Sequence, residues 1–211
     1  MEQVTINFSR SLLSDAPLIA AQHILGAELV IHDHGIRAVI TEVEAYGGPA
    51  DSQWPDPAAH TWPGQTPRNR VMFGPAGHLY VYRSYGIHHC ANITCGPEGE
   101  GGGVLIRAVS IREGADAVRG FRPASVRLSI IGRGPGNVAQ ALGITMADYG
   151  TDVFSSRSRI RLEKPVVTQK QVVHAGPRVG VRRASERPWR LWLEDESVSK
   201  FRAHAQAEGT F

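Results

Sequence analysis

The sequence lacks most of what secreted and membrane proteins depend on. Two cysteines, Cys90 and Cys95, are all it has in 211 residues. A close pair in a chain without a leader pattern reads as two reduced, buried thiols rather than a disulfide framework. No apolar run approaches the roughly 20 residues a membrane helix needs. The opening "MEQVTINFSRSLLSDAP" is not a charged-then-apolar leader. The expected setting is therefore soluble and cytoplasmic, or at the nucleoid in a bacterium, with no membrane partner. Internal repeats and low-complexity segments are absent. So are the Cys-x2-Cys and His-Glu-x-x-His spacings of zinc sites, the Gly-x-Ser-x-Gly elbow of a hydrolase, and the Gly-Lys-Ser/Thr ending that would turn "GRGPGN" into a nucleotide loop. Lysine is scarce: Lys164, Lys170 and Lys200 all lie in the last third.

Apolar residues make up 42% of the chain, enough for the core of one domain and short of two. We take residues 1–202 as that domain and 203–211 as a polar tail that frays. The net charge of +3 conceals a division. Residues 1–66 hold 2 basic and 8 acidic residues, whereas residues 157–202 hold 12 basic and 5 acidic. A basic carboxy-terminal third suits a polyanion such as nucleic acid, although a solvated face would look the same.

"SDAPLIAAQHILGAELVI" predicts a helix with Ser14 and Asp15 at its cap, Leu18, Ile19, Gln22 and Leu25 at helical spacing, and an end near Gly26. Two strands follow around a turn at Asp33, His34 and Gly35. Residues 47–70 carry proline and glycine throughout, yet hold Trp54, His60 and Trp62. An aromatic loop of this length is a candidate functional element. "GHLYVYRSYGIHHCANITC" and "GGVLIRAVS" read as further strands, and "GPGNVAQALGIT" as a glycine turn into a short helix.

The stretch "VITEVEAYGG" draws most attention. Strand alternation puts Glu42, Glu44 and Tyr46 on one face and Thr41, Val43 and Ala45 on the other. The solvent face of an edge strand would show the same pattern, but this strand feeds straight into the aromatic loop. Arg107 is a lone charge in the apolar strand "VLIRAVS", which calls for a carboxylate or phosphate partner. Glu44 is the candidate, in a catalytic or a purely structural pair. Tyr80 and Tyr82 share a strand face, with Tyr85 just beyond the strand end. Such rings pack cores, and they also stack on nucleobases.

In order along the chain, "TEVEAYGGP", "QTPRNRVMFGPAGHLYVYRSYGIHHCANITCGPEGEG", "VLIRAV", "GPGNVAQALGIT" and "GPRVGV" closely resemble the 3-methyladenine (alkyladenine) DNA glycosylase family, from about Leu12 to Ser199. The resemblance implies an α+β fold: a single mixed domain on a curved, mainly antiparallel sheet flanked by helices. It implies a monofunctional base-excision enzyme that works as a monomer, without metal or redox cofactor, on double-stranded DNA containing alkylated or deaminated purines. Residue by residue, Glu44 matches the base that activates water, and Arg107 and the backbone carbonyl of Val179 match groups that hold that water. Tyr46, His60 and Tyr82 match residues that stack on the extruded base. Asn92 matches one that crowds the 2-amino group of guanine, and Tyr85 the side chain that fills the gap left in the duplex. The sequence departs from the family between Pro49 and His60, where "ADSQWPDPAA" is longer than usual, so the position of His60 depends on how this loop folds. No lysine lies near the motif, which argues against a Schiff-base lyase step. Two other readings compete: a catalytically idle nucleic-acid-binding module, and a small-molecule hydrolase or formyl-transfer-like enzyme on the same fold.

Overall fold

The computed structural model describes residues 8–164 and 171–206. Lys170 and the last five residues of the expected tail lie outside this set. The fold is mixed α+β: one open sheet of nine strands, every ladder antiparallel, and three short helices. The strands are β1 (Glu28–Ile31), β2 (Ile36–Tyr46), β3 (Leu79–Ser84), β4 (His88–Thr94), β5 (Gly103–Glu113), β6 (Gly132–Arg133), β7 (Ile160–Glu163), β8 (Val173–Gly176) and β9 (Arg190–Leu193). The helices are α1 (Pro17–Ile24), α2 (Ala115–Phe121) and α3 (Pro135–Ala141).

The main order is β3-β4-β5-β2-β1-β7, with branches where β6 pairs β5 and the β8–β9 hairpin pairs β2. The two long central strands create these branches. The first half of β2 pairs β1, and its second half pairs β9 from Glu42 to Glu44. β5 pairs β2 along its length, meeting β4 early and β6 late.

Between β2 and β5 the register slips twice within a few residues. Ile40 faces Val109 and Glu42 faces Ala108, which leaves Thr41 as an extra residue on β2. Val43 then faces Ile106, which leaves Arg107 as an extra residue on β5. Each bulge shifts the side-chain alternation by one, and a one-residue slip sends every later side chain to the opposite face. Ile36, Ala38 and Ile40 enter the apolar core before the bulge, and Val43 and Ala45 enter it afterwards. Glu42, Glu44 and Tyr46 are thereby released to the other face, where Arg107 meets them. The expected face assignment holds for Val43 and Ala45 against Glu42, Glu44 and Tyr46, through the bulge and not uninterrupted alternation; Thr41, expected beside Val43, is the bulge residue and meets the Ser197 hydroxyl at 2.7 Å instead of joining the core cluster.

Helix α1 is where expected, with a different start and a different buried stripe. It begins at Pro17 with Ala16 as N-cap and no side-chain cap; Asp15 only accepts from the Ala16 N–H at 2.6 Å. Proline at the first helical position needs no hydrogen bond there, so Ser14 and Asp15 are not required as caps. The helix buries Pro17, Ala20, Ala21 and Ile24, whereas Ile19 is exposed. Cys90 and Cys95 are free thiols, both buried.

Candidate functional site

Glu44 and Glu42 are both completely buried, yet their surroundings differ. Glu42 is saturated. Its Oε1 accepts from Arg107 Nε at 3.0 Å and Arg190 Nε at 2.6 Å, and its Oε2 from the Ser199 N–H at 2.9 Å. The Ser199 hydroxyl lies 2.8 Å from Oε2, and Arg190 also donates to the Ser199 carbonyl at 2.7 Å. Burial pushes the Glu42 carboxyl up, but Arg107, the Ser199 amide and Arg190 overcome that push and hold it below its ordinary value. Fully buried and held by these donors, Glu42 supports the site rather than facing solvent.

Glu44 sits one pleat closer to the aromatic loop. Its Oε1 accepts from the Val179 N–H at 2.6 Å, and its Oε2 from the Tyr46 hydroxyl at 2.8 Å and Arg107 Nη1 at 3.3 Å. Three donors converging on one group fit a carboxylate, which is an acceptor only. Val179 meets this carboxylate through its N–H; the resemblance pairs its carbonyl with the water instead, a different atom and a different partner. Burial first, and Glu44 second, push the Tyr46 phenol far above its ordinary range. Tyr46 therefore stays a hydrogen-bond donor to this acid.

Beside this acid lies a recess of about 380 Å³, counting its open mouth, lined by Tyr46, Ala58, His60, Met72, Tyr80, Tyr82 and Asn92. Tyr80 and Tyr82 are nearly parallel, with centroids 5.6 Å apart, and His60 stands edge-on to Tyr82 at 4.6 Å. His60 Nδ1 is 3.2 Å from the Tyr80 hydroxyl. Burial first, and the nearby Arg68 second, lower the His60 pKa, so the imidazole is neutral near pH 7. Burial also raises the Tyr82 phenol. Asn92 is anchored by donating to the Tyr80 carbonyl at 3.1 Å. The recess thus brings together Tyr46, His60, Tyr82 and Asn92, as expected, and adds Tyr80 and Met72. Tyr85 stands apart at the β3–β4 turn, 93% exposed and with φ of 51°.

The lengthened loop is not loose. Trp54 O accepts from the Gly48 N–H at 2.9 Å, and Asp56 N donates to Gly48 O at 3.0 Å. A Cβ at Gly47 would meet the Trp54 carbonyl at 2.1 Å, so this strand end requires glycine. Asp56 accepts from the Gly47 N–H at 3.0 Å and takes both ends of the Arg178 guanidinium, at 2.6 and 3.0 Å. Arg178 also donates to the Ala45 carbonyl at 3.1 Å and stacks 4.7 Å from the Tyr46 ring centroid. Asn69 holds the far side by donating to the carbonyls of His60 and Gly64, at 2.9 and 3.0 Å. His60 is therefore delivered to the recess despite the extra residues before it.

Sequence reasoning missed Asp56, Arg178, Arg190 and Ser199. Arg190, in "RLWL", offered the same signal as Arg107, a lone charge among apolar strand residues. Arg178 is the neighbour of Val179, but nothing local links it to Asp56. Among the described residues no helix is long and apolar enough to cross a membrane.

Known proteins are similar to this chain along nearly its whole length. Residues 11–197 match the family model described as methylpurine-DNA glycosylase. A protein of Mycobacterium sp. (strain KMS) is 52% identical over 200 residues, covering 94% of this chain and 96% of the relative, and is named "Putative 3-methyladenine DNA glycosylase". Relatives of the same name include one from Mycolicibacterium fortuitum, 52% identical over 90% of this chain and 96% of its own length. Another, from Mycobacterium leprae (strain Br4923), is 50% identical over 90% of this chain and 87% of its own length. With a buried acid beside an aromatic recess and a match this long, the chain belongs to the methylpurine-DNA glycosylase family.

Proposed function

We propose that the protein excises damaged purines from duplex DNA by hydrolysing the N-glycosidic bond, leaving an abasic site and the free base. The observation that carries this reading is Glu44: a fully buried carboxylate, hydrogen-bonded to the Tyr46 wall of a recess lined by aromatic rings. A base inside the duplex stack is out of reach, so the target nucleotide must be extruded at a cost of a few kcal/mol, lower for a damaged or mispaired base. Tyr85, exposed at the hairpin tip, fills the vacated stack and offsets part of that cost.

In the recess the extruded base stacks on Tyr46, His60 and Tyr82, while Asn92 crowds the 2-amino group of normal guanine. Glu44 takes a proton from water as it attacks the sugar C1′, and its charge steadies the oxocarbenium-like sugar. Arg107 and Val179 orient that carboxylate and the water it activates. Many glycosidases use two carboxyls, one to protonate the leaving group. Alkylated purines that already carry positive charge leave without that help, so one carboxylate suffices for them. Glu42, occupied by Arg107, Arg190 and Ser199, supports the site and does not act as a second acid. The basic carboxy-terminal third meets the DNA backbone.

No lysine lines the recess among the described residues, and we expect no strand incision. The test is incubation with duplexes carrying 3-methyladenine, 7-methylguanine, hypoxanthine or ethenoadenine, resolved on gels with and without alkali. Strand breaks that appear only after alkali support the reading. Breaks without alkali would overturn the monofunctional assignment. Binding without excision of any lesion would leave a binding module, and neither binding nor excision would point to a small-molecule enzyme.

A further inference from the structure

Tyr82 lines two spaces, the recess and an open cleft of about 1060 Å³ along the outer edge of β3 that is also lined by Arg68, Arg83 and Tyr149. The guanidinium carbon of Arg68 lies 5.9 Å from the Tyr82 ring centroid. Arg68 is exposed in the cleft, and its guanidinium also reaches the phenol of Tyr80, a wall of the recess. A base stacked on Tyr82 would therefore have a cation close to the ring that holds it.

The charges around the recess make this cation matter. Glu42, Glu44 and Asp56 are matched by Arg107, Arg190 and Arg178 in short, buried contacts. Three negative charges cancel three positive ones. Among the described residues no carboxylate forms an ion pair with Arg68. Arg83, in the same cleft, donates to the His89 ring at 3.4 Å and adds to the positive sign. The His60 imidazole, inside the recess, already responds to this field: after burial, Arg68 is the group that disfavours its cationic form.

We propose that Arg68 is a specificity-determining residue that favours electrically neutral damaged bases, such as deaminated purines, over cationic alkylated ones. The inference rests on the glycosylase reading above. It acts in two ways. The face of an aromatic ring attracts cations, and Arg68 already draws on that attraction, so a cationic base gains less from Tyr82. In bond cleavage, water oxygen bonds to C1′, its proton passes to Glu44, and the C1′–N9 electron pair leaves with the base. A cationic base departs neutral. A neutral base departs as an anion, protonated afterwards by solvent, and the positive charge beside Tyr82 stabilises that anion where no side chain supplies an acid.

The test compares single-turnover excision of hypoxanthine and 7-methylguanine, placed in the same duplex context, by the full chain and its Arg68→Gln and Arg68→Lys variants at saturating enzyme. Arg68→Gln is expected to lower the hypoxanthine-to-7-methylguanine rate ratio about threefold to tenfold, the size of an exposed cation–π and charge effect. Arg68→Lys is expected to keep the ratio within about twofold, because the charge remains. In the wild type, raising salt from about 0.1 M to 1 M shortens the screening length from roughly 10 to 3 Å and should move the ratio in the same direction as Arg68→Gln. An unchanged ratio, or equal losses on both lesions, would overturn the inference; equal losses would make Arg68 a plain backbone contact. Wild-type protein that excises neither lesion would instead overturn the glycosylase reading itself.

Discussion

The two halves of β2 are built from the same kind of backbone and do opposite work. From Ile36 to Ile40 the strand is a core element: Ile36, Ala38 and Ile40 are fully buried in the apolar cluster, and β1 is the neighbour. From Glu42 to Tyr46 the neighbour is β9, and the side chains facing away from the core are two acids and a phenol. Both halves are buried, so burial does not separate them. The difference is made by Thr41 and Arg107, the extra residues that reset the alternation on β2 and β5 at one level. A bulge here works as a switch of face, converting a core strand into a platform for charges without ending the strand.

This contrast can be broken from either side. The largest effect belongs to Glu44→Gln. Removing the base should lower single-turnover excision by about 10²–10⁴-fold while leaving duplex affinity near wild type; a rate close to wild type would remove Glu44 from the mechanism. Glu42 and Ile40 should behave as structural residues despite their different chemistry. Glu42→Gln leaves Arg107 and Arg190 buried with a partner short of charge, and should cost about 3–5 kcal/mol in urea unfolding. Ile40→Ala should cost about 2–5 kcal/mol through the cavity it opens, with excision per folded molecule largely kept. If Glu42→Gln instead kept full stability and lost only rate, the two acids would share the chemistry.

Acid should separate the halves again. Glu42 and Asp56 both hold their carboxyls below the ordinary values of 4.5 and 3.8, against burial that alone would raise them. A carboxyl lowered in the folded state contributes stability above its unfolded value, and that contribution is lost as pH falls through the folded one. Stability should therefore decline below about pH 4.5, and Glu42→Gln should flatten that decline whereas Ile40→Ala should not. Urea midpoints collected between neutral pH and acid would decide it. The smallest effect is at the hairpin. Tyr85, with φ of 51°, occupies a backbone region that is strained for any residue but glycine. Tyr85→Gly should raise stability by up to about 1 kcal/mol while weakening lesion binding. Unchanged affinity and unchanged discrimination of damaged from intact duplex would count against the wedge role.

The sequence displayed much of this site and concealed its support. Glu44, Tyr46, Tyr82 and Arg107 were legible because each breaks a local pattern: acids on a strand entering an aromatic loop, a lone arginine among apolar residues, rings at a spacing of two. The bulge was visible only in principle, as a change of parity from Ile36, Ala38 and Ile40 to Val43 and Ala45, and no glycine or proline marks it. Asp56 and Arg178 were not legible, because their pairing spans 122 positions and neither stands in a distinctive local context. A still longer separation, 157 positions, hid the role of Ser199 as a donor to Glu42. Charge pairs made by tertiary packing leave no periodic trace, whereas strands and single charges within them do.

That clamp by Ser199 has a consequence for the order in which the molecule comes into being. Glu42 is synthesised early, but its donors emerge later, at Arg107, then Arg190, and finally Ser199. A nascent chain still lacking β9 and the segment after it holds Glu42 with only one of its two arginines and without its amide and hydroxyl donors. The central strands can pair at that stage, yet the acidic face cannot be sealed. The site is therefore among the last parts of the protein to take its working form, and translation carries the chain past the end of the family-matched span, residues 11–197, before Glu42 is fully held.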